Sequence, residues 1–329
     1  MPQVLGKDVG TIGFGLMGLT WRATPPPPEQ AFEAMRAALV NGMNYWNAAE
    51  FYGTPEYNSL TLLERYFEKY PEDADKVVLG VKGAVGLNAS GPDGSPEEIR
   101  RSIDNCLRIL KGRKKIDVFE PARRDKKVPL EITFAAINEY VEKGLVGGVG
   151  ISEVAAATIH EAAKITKIVS VEVELSLMAT DILDNGVVAA CAEHDIPVIA
   201  YSPLGRGMFT TQFKSHADIP KDSFLQHFPR FSPENFDNNM KLVKQVEELA
   251  SKKGCTPAQL AISWTANLSR RRPGLPTIIP IPGATTASRV NENAVYVELS
   301  DAEMAEIDET LSKFEVVGRR YPEQMPIET

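Results

Sequence analysis

A chain of 329 residues with 43% hydrophobic and 24% charged side chains can bury a large core, which excludes a disordered, collagen-like or small disulfide-stapled protein. Its 44 Asp and Glu against 36 Lys and Arg leave a net charge of −8, the wrong sign for holding nucleic acid or an anionic membrane by bulk charge. Cys106, Cys191 and Cys255 lie far apart with no CxxC pair, so neither a disulfide framework nor a zinc site is expected and a reducing compartment fits. The first residues lack the basic and apolar blocks of a secretory signal, and no run approaches the roughly 18 apolar residues of a membrane span. A cytoplasmic protein is expected.

In chain order, short β-branched runs alternate with helical patterns. The first run, Val9–Phe14, leads into Gly13-Phe14-Gly15-Leu16-Met17-Gly18. This reads GxGxxG, but the chain runs on into Pro25–Pro28, which cannot form the helix that would face a pyrophosphate. Further runs follow at Met43–Asn47, Val77–Lys82, Ile116–Phe119, Val146–Ser152, Ile168–Glu172, Pro197–Ser202 and Thr277–Ile281. They are continuously apolar, as strands covered on both faces are. Ser95-Pro96-Glu97-Glu98, Thr256-Pro257-Ala258-Gln259 and Ser300-Asp301-Ala302-Glu303 open helices, and Lys143-Gly144 closes one.

Eight such units predict an α/β fold, a (β/α)8 TIM barrel forming a single domain over residues 1–329. A doubly wound sheet is the competing arrangement. A long aromatic-rich loop, Gly205–Pro233, follows the seventh run, and residues 300–329 form a helix and a tail. No helix face stands out as an interface, so the sequence assigns no oligomeric state.

Barrel chemistry sits at the C-terminal strand ends. There the second run continues as Asn47-Ala48-Ala49-Glu50-Phe51-Tyr52-Gly53, and the third ends Val81-Lys82-Gly83. A tyrosine titrates near 10, and an ammonium about 4 Å away is worth about 4 kcal/mol at an effective dielectric of 20. The pair predicts a phenol drawn toward neutrality, able to protonate an alkoxide.

At these residues the chain resembles the aldo-keto reductases over nearly its whole length. Asn47–Gly53 is similar to the family's D-T-A-E-x-Y-G motif. Gly150-Ile151-Ser152-Glu153 is similar to its nicotinamide-amide segment, and Ala200-Tyr201-Ser202-Pro203-Leu204-Gly205-Arg206-Gly207 to its A-Y-S-P-L-G-R-G run. Ile279-Pro280-Ile281-Pro282-Gly283 with Arg289 and Glu292-Asn293 resembles the adenosine 2′-phosphate segment. Within that family, the strand-two wording, Phe119–Arg123 and Gly318-Arg319-Arg320-Tyr321 resemble the fungal pyridoxal reductases.

The resemblance implies NADPH-dependent reduction of a small aldehyde, with pyridoxal favoured and pyridoxine as product. Tyr52 would give the proton, Lys82 would tune it, and Asn47 would complete the catalytic set. Ser152 and Glu172 would meet the carboxamide, with Glu153 close by, and Tyr201 would stack on the nicotinamide. Ser202, Leu204, Arg206 and Gly207 would hold the pyrophosphate. Pro282, Gly283, Thr285, Ser288, Arg289, Glu292 and Asn293 would hold the adenosine end. Residues 284–290 contain no acid, which implies NADP rather than NAD.

Two departures touch the chemistry. The family usually has Asp where this chain has Asn47, and His where it has Ala122. Glu120 or Arg123 could replace the imidazole; Trp21, Trp46, Glu120, Arg123 and His227 are the expected substrate contacts, beside Tyr52. Other aldo-keto reductases of general aldehyde specificity, and the family's cofactor-binding channel subunits with little turnover, are the alternatives. Glu172 has a second reading, as an interior acid paired with a lysine. His160, His194 and His216 lack metal-ligand spacing, and no metal is expected.

Overall fold

The computed structural model describes residues 1–86 and 91–329. A small antiparallel hairpin comes first, β1 Gln3–Val4 and β2 Lys7–Asp8. Leu5 and Gly6 make its turn with φ of 56° and 68°, as a tight hairpin turn requires. The chain then lays down β3 Phe14–Gly15, β4 Tyr45–Ala49, β5 Val78–Gly83, β6 Ile116–Pro121, β7 Val146–Ser152, β8 Ile168–Glu174, β9 Val198–Tyr201 and β10 Ile278–Pro280.

These eight strands pair in parallel and in sequence order. A doubly wound sheet would reverse that order part-way; here the two edges meet instead. Gly13 N donates to Pro280 O at 2.9 Å and Gly15 N to Pro282 O at 3.1 Å. A Cβ on Gly13 would lie 2.8 Å from Tyr45 O, and one on Gly15 2.9 Å from Ile281 O. The GxG of the false dinucleotide motif therefore closes a (β/α)8 barrel, and only the four-residue helix Met17–Thr20 follows it.

Helix entries follow the sequence signals. Ser95 accepts from Glu98 N, and Thr256 with Gln259 and Ser300 with Glu303 form reciprocal capping boxes. Helix Leu130–Glu142 ends before Gly144, whose φ is 71°. Two apolar layers result: one lies between strands and helices, and the other fills the barrel with Val78, Val118, Val169, Ile199 and Ile279. Val4 and Val9 join the interior layer from the hairpin.

The hairpin also explains a difference from expectation. The run Val9–Phe14 yields strand only at Phe14–Gly15, because Val9 N is bonded to Pro2 O and Gly10 N to Asn44 Oδ1. The loop after β9 is a succession of 3-10 turns that buries Phe209, Phe213, Phe228 and Phe231. Among the described residues no helix is long and apolar enough to cross a membrane.

Candidate active site

Strand register brings the chemical residues to one interior level. Ala49 pairs with Lys82, Lys82 with Glu120, and Ser152 with Glu172 across neighbouring strands. Side chains alternate between the two faces of a strand, so Asn47, Lys82, Glu120, Ser152 and Glu172 are all buried. Lys82 Nζ donates to Asn47 Oδ1 and to Glu172 Oε1, each at 2.6 Å, and lies 3.9 Å from Glu120 Oε1. Asn47 Nδ2 donates to Glu172 Oε2 at 2.5 Å.

Glu172 takes the second reading given to it, an interior acid paired with a lysine: one oxygen accepts from the ammonium and the other from the Asn47 amide. Asn47 cannot carry the charge that opposes Lys82, so a carboxylate from β8 does. The buried Lys82 stays protonated: Glu172 more than any other group holds its pKa up against burial.

Tyr52 lies just past β4, 8% exposed, with its carbonyl fixed by Thr20 Oγ1 at 2.7 Å and Ser59 N at 3.0 Å. Lys82 Nζ is 5.1 Å from its ring centroid. The rings of Trp21 and Phe51 lie 5.5 and 5.3 Å from it, and Trp21 is 47% exposed. The phenol is not drawn toward neutrality. Burial pushes it up to about 12, Lys82 opposes this, and Glu172 adds to it. Burial outweighs the lysine.

Around this centre the structure separates available groups from engaged ones. Ser152 Oγ is buried and has no hydrogen-bond partner among the described residues. After β9, Ser202, Arg206 and Gly207 take φ of 54°, 56° and 100°, turning the backbone sharply around Leu204. Pro282 and Gly283 follow β10 beside Gly15. Thr286 caps the next helix by accepting from Arg289 N at 3.3 Å and shares a 3.1 Å hydroxyl contact with Ser288. Gln30 donates to Thr285 O, Asn293 is buried, and Arg289 Nη1 sits 2.7 Å from Glu292 Oε2. Glu292 is therefore the partner of Arg289 here.

Glu153 is also engaged. Its carboxylate accepts from Arg320, from Tyr201 Oη at 2.8 Å, from Thr329 Oγ1 at 2.6 Å and from Glu174 N at 3.0 Å. No capacity is left for a carboxamide. Arg320 reaches Glu153 Oε2 at 2.9 Å and Glu174 Oε2 at 3.0 Å, and Arg206 reaches the same Glu174 oxygen at 2.9 Å. The tail thus straps the barrel mouth through Arg320, and Tyr321 Oη lies 2.6 Å from Tyr201 Oη. Removing one member of a buried ion pair strands the other. Arg320→Ala is expected to cost about 3–5 kcal/mol, read as a lower denaturant midpoint. An unchanged midpoint would show that the strap does not hold the fold.

Three expected substrate contacts are placed elsewhere. Trp46 is fully buried in the core, its Nε1 donating to Met43 O and its ring stacked on Phe67. The apolar alternation of β4 sends it outward to the helices. His227 is exposed in a 3-10 turn with no hydrogen bond to the Tyr52–Lys82 group among the described residues. Glu120 lies inside the barrel, not at its rim. Arg123 does sit near the phenol: its charge acts on Tyr52. Its Nη1 donates to Ala122 O at 2.5 Å, and its buried Nε has no partner among the described residues.

Sequence reading also kept the histidines apart. His160, on helix Ala156–Ile165, and His194, just past helix Val187–Glu193, bring Nδ1 and Nε2 to 2.9 Å beside Glu193. One N–H···N hydrogen bond joins the two rings.

The Aldo/keto reductase family model matches residues 11–312. The chain is 43% identical to "Probable pyridoxal reductase 2" of Schizosaccharomyces pombe, covering 99% of this chain and 98% of that protein. It is 32% identical to the NADP(+) aldo-keto reductase yakc of the same yeast, over 97% and 93% of the two chains. The solved structure of the glycerol dehydrogenase AKR11B4 from Gluconobacter oxydans superposes with a TM-score of 0.82 at 21% identity, over 96% of each chain. With the barrel, the Tyr52–Lys82 pair and the strand-end motifs, these matches establish that the chain belongs to the aldo/keto reductase family.

Proposed function

We propose that this protein is an NADPH-dependent aldehyde reductase whose substrate is pyridoxal, reduced to pyridoxine. The observation that carries the reading is a protonated phenol, Tyr52, at the barrel mouth over a buried lysine whose charge Glu172 holds in place. The 43% identical relative, named as a probable pyridoxal reductase, supports the choice of substrate.

The residues present fit the cofactor at two points. Ser152 offers a buried hydroxyl with no partner among the described residues. The turn from Ser202 to Gly207 has the left-handed backbone of an anion nest, with Gly205 N and Gly207 N bonded within the turn to Ser202 O and Leu204 O. When bound, NADPH supplies the hydride for the carbonyl carbon. Ser152 would meet its carboxamide, and the face of Tyr201 would lie against its ring, with the hydroxyl edge fixed by Glu153 and Tyr321. Ser202, Leu204, Arg206 and Gly207 would hold the pyrophosphate, for which Arg206 shares its charge with Glu174. Pro282, Gly283, Thr285, Ser288, Arg289 and Asn293 would hold the adenosine end, with Arg289, now paired with Glu292, as the cation for a 2′-phosphate.

Tyr52 gives its proton to the oxygen that becomes the alcohol. Lys82 steadies the phenolate that remains, and proton return from solvent resets the site. Arg123 takes the place of the family's histidine, directing an N–H at the carbonyl oxygen from the position after Ala122. Trp21, tilted 31° against Tyr52, offers a flat face to a pyridine ring. NADPH oxidation with pyridoxal tests the whole reading, with NADH and 4-nitrobenzaldehyde as comparators. A kcat/KM no higher for pyridoxal than for nitrobenzaldehyde would remove the substrate assignment.

The pKa of Tyr52 sets a pH asymmetry. With the phenol at about 12, the donor form persists through neutral and mildly alkaline pH. Oxidation of pyridoxine needs the phenolate, whose population grows about tenfold per pH unit below the pKa. The kcat/KM for pyridoxine oxidation by NADP is therefore expected to climb steadily between pH 7 and 9. A flat profile would place the phenolate elsewhere.

A further inference from the structure

The barrel interior holds more acid than its one lysine can balance. Lys82 carries one positive charge and is met by two buried carboxyl groups, Glu172 at 2.6 Å and Glu120 at 3.9 Å. Their surroundings differ sharply. Glu172 accepts from Lys82 and from Asn47, whereas neither oxygen of Glu120 has a hydrogen-bond donor among the described residues. Glu120 is 1% exposed, so water does not replace the missing donors. The space it occupies is kept open by Gly150, where a Cβ would stand 2.9 Å from Glu120 Oε2.

An ionised carboxylate without donors in such a place is costly, and two carboxylates sharing one cation push one of the pair to keep its proton. From this geometry we infer that Glu120 is carried as the neutral acid, leaving Glu172 as the sole anion opposite Lys82. The buried group of Lys82, Glu172 and Glu120 then has no net charge and contains one dissociable proton beside the amine that tunes Tyr52. Glu120 acts as a positioning residue through Lys82, with no contact to substrate.

The groups that face Glu120 support the same assignment. Burial first and Glu172 on β8 next drive its pKa well up, and Lys82 on β5 and Arg123 after β6 oppose this. Tyr45 on β4 is itself pushed up, by burial first and by Glu120 next, so it stays neutral and offers no compensation. Tyr52, after β4, is protonated in the same range. When Glu120 does ionise, the proton leaves to solvent and a second negative charge reaches Lys82. The amine is then held harder, the phenol becomes a weaker acid, and reduction slows.

This inference rests on the reductase reading only in its kinetic consequence; the protonation state is a property of the cofactor-free protein. Infrared spectra of that protein at pH 7 are expected to show the carbonyl stretch of a protonated carboxylic acid, resolved from the carboxylate bands of the ionised surface acids. The band should vanish in Glu120→Gln, and in Glu120→Asp it should persist at a shifted frequency. The aspartate variant supplies the test if the glutamine variant does not fold. Absence of the band in the wild type, or its survival unchanged in Glu120→Gln, would overturn the inference. In turnover, the alkaline fall of kcat for reduction should move to higher pH in Glu120→Gln. An alkaline limb left in place would equally overturn it, while absence of turnover in the wild type would instead strike the reductase reading.

Discussion

Tyr52→Phe is expected to lower kcat for pyridoxal reduction by about 10²–10⁴-fold, the usual contribution of a positioned general acid. The substitution deletes one oxygen and little else. The ring contacts with Trp21 and Phe51 depend on the aromatic face, and the backbone is fixed through the carbonyl by Thr20 and Ser59. Folding and aromatic packing should therefore survive, and the loss should fall on kcat more than on KM. Lys82 cannot deputise as the donor. It is buried, spends two N–H groups on Asn47 and Glu172, and its pKa is held high by Glu172. Arg123 keeps its proton at any working pH. The check is steady-state NADPH oxidation with circular dichroism of the variant alongside. Wild-type turnover in Tyr52→Phe would move the proton donor elsewhere and remove the main support for the proposed chemistry.

The sequence shows the barrel because its signals are local. Apolar runs, capping residues such as Ser95 and Thr256, and the proline block after Gly18 each act within a few residues, and together they dictate the alternation. The hairpin at Leu5-Gly6 carried the same kind of signal, a glycine at a two-residue turn, but its strands are too short to show a period. Tyr52 and Lys82 were legible because they sit at strand ends in recognisable motifs. What escaped sequence reading depends on registers and distances that no local pattern encodes. Trp46 faces the helices because of where alternation along β4 starts. The paired carboxylate and amide of Glu172 and Asn47 meet across the barrel, 125 residues apart in the chain. Arg320 returns from the tail to Glu153 and Glu174, 167 and 146 residues earlier. The tuning of Tyr52 escaped for the same reason: Lys82 does pull the phenol down, but burial outweighs it and Glu172, reached only through the fold, adds to the rise.

Exchanging the two Lys82 partners provides the second large expected effect. Glu172→Gln leaves the buried ammonium without its close anion, and losing one partner of such a pair costs about 3–5 kcal/mol. Glu120, 3.9 Å away, can ionise to replace part of the lost charge, so the lower end of that range is expected. The sign of the electrostatic change on Tyr52 is set. Glu172 raises the phenol and Lys82 lowers it, so in Glu172→Gln the phenol titrates lower and the rise of pyridoxine oxidation begins at lower pH. Asn47→Asp alone places a carboxylate against Glu172 at a contact now 2.5 Å long and removes the amide donor between them, so it too should destabilise. The double variant, Asn47→Asp with Glu172→Gln, returns one anion and one amide to the lysine with their positions reversed. Asn47 Oδ1 is already 2.6 Å from Nζ, so the carboxylate arrives where a contact exists. A double-mutant cycle by chemical denaturation should show the two losses largely cancelling. Strict additivity would mean that Asn47 and Glu172 do not share the task of neutralising Lys82, and the charge arrangement assigned to the barrel centre would fail with it.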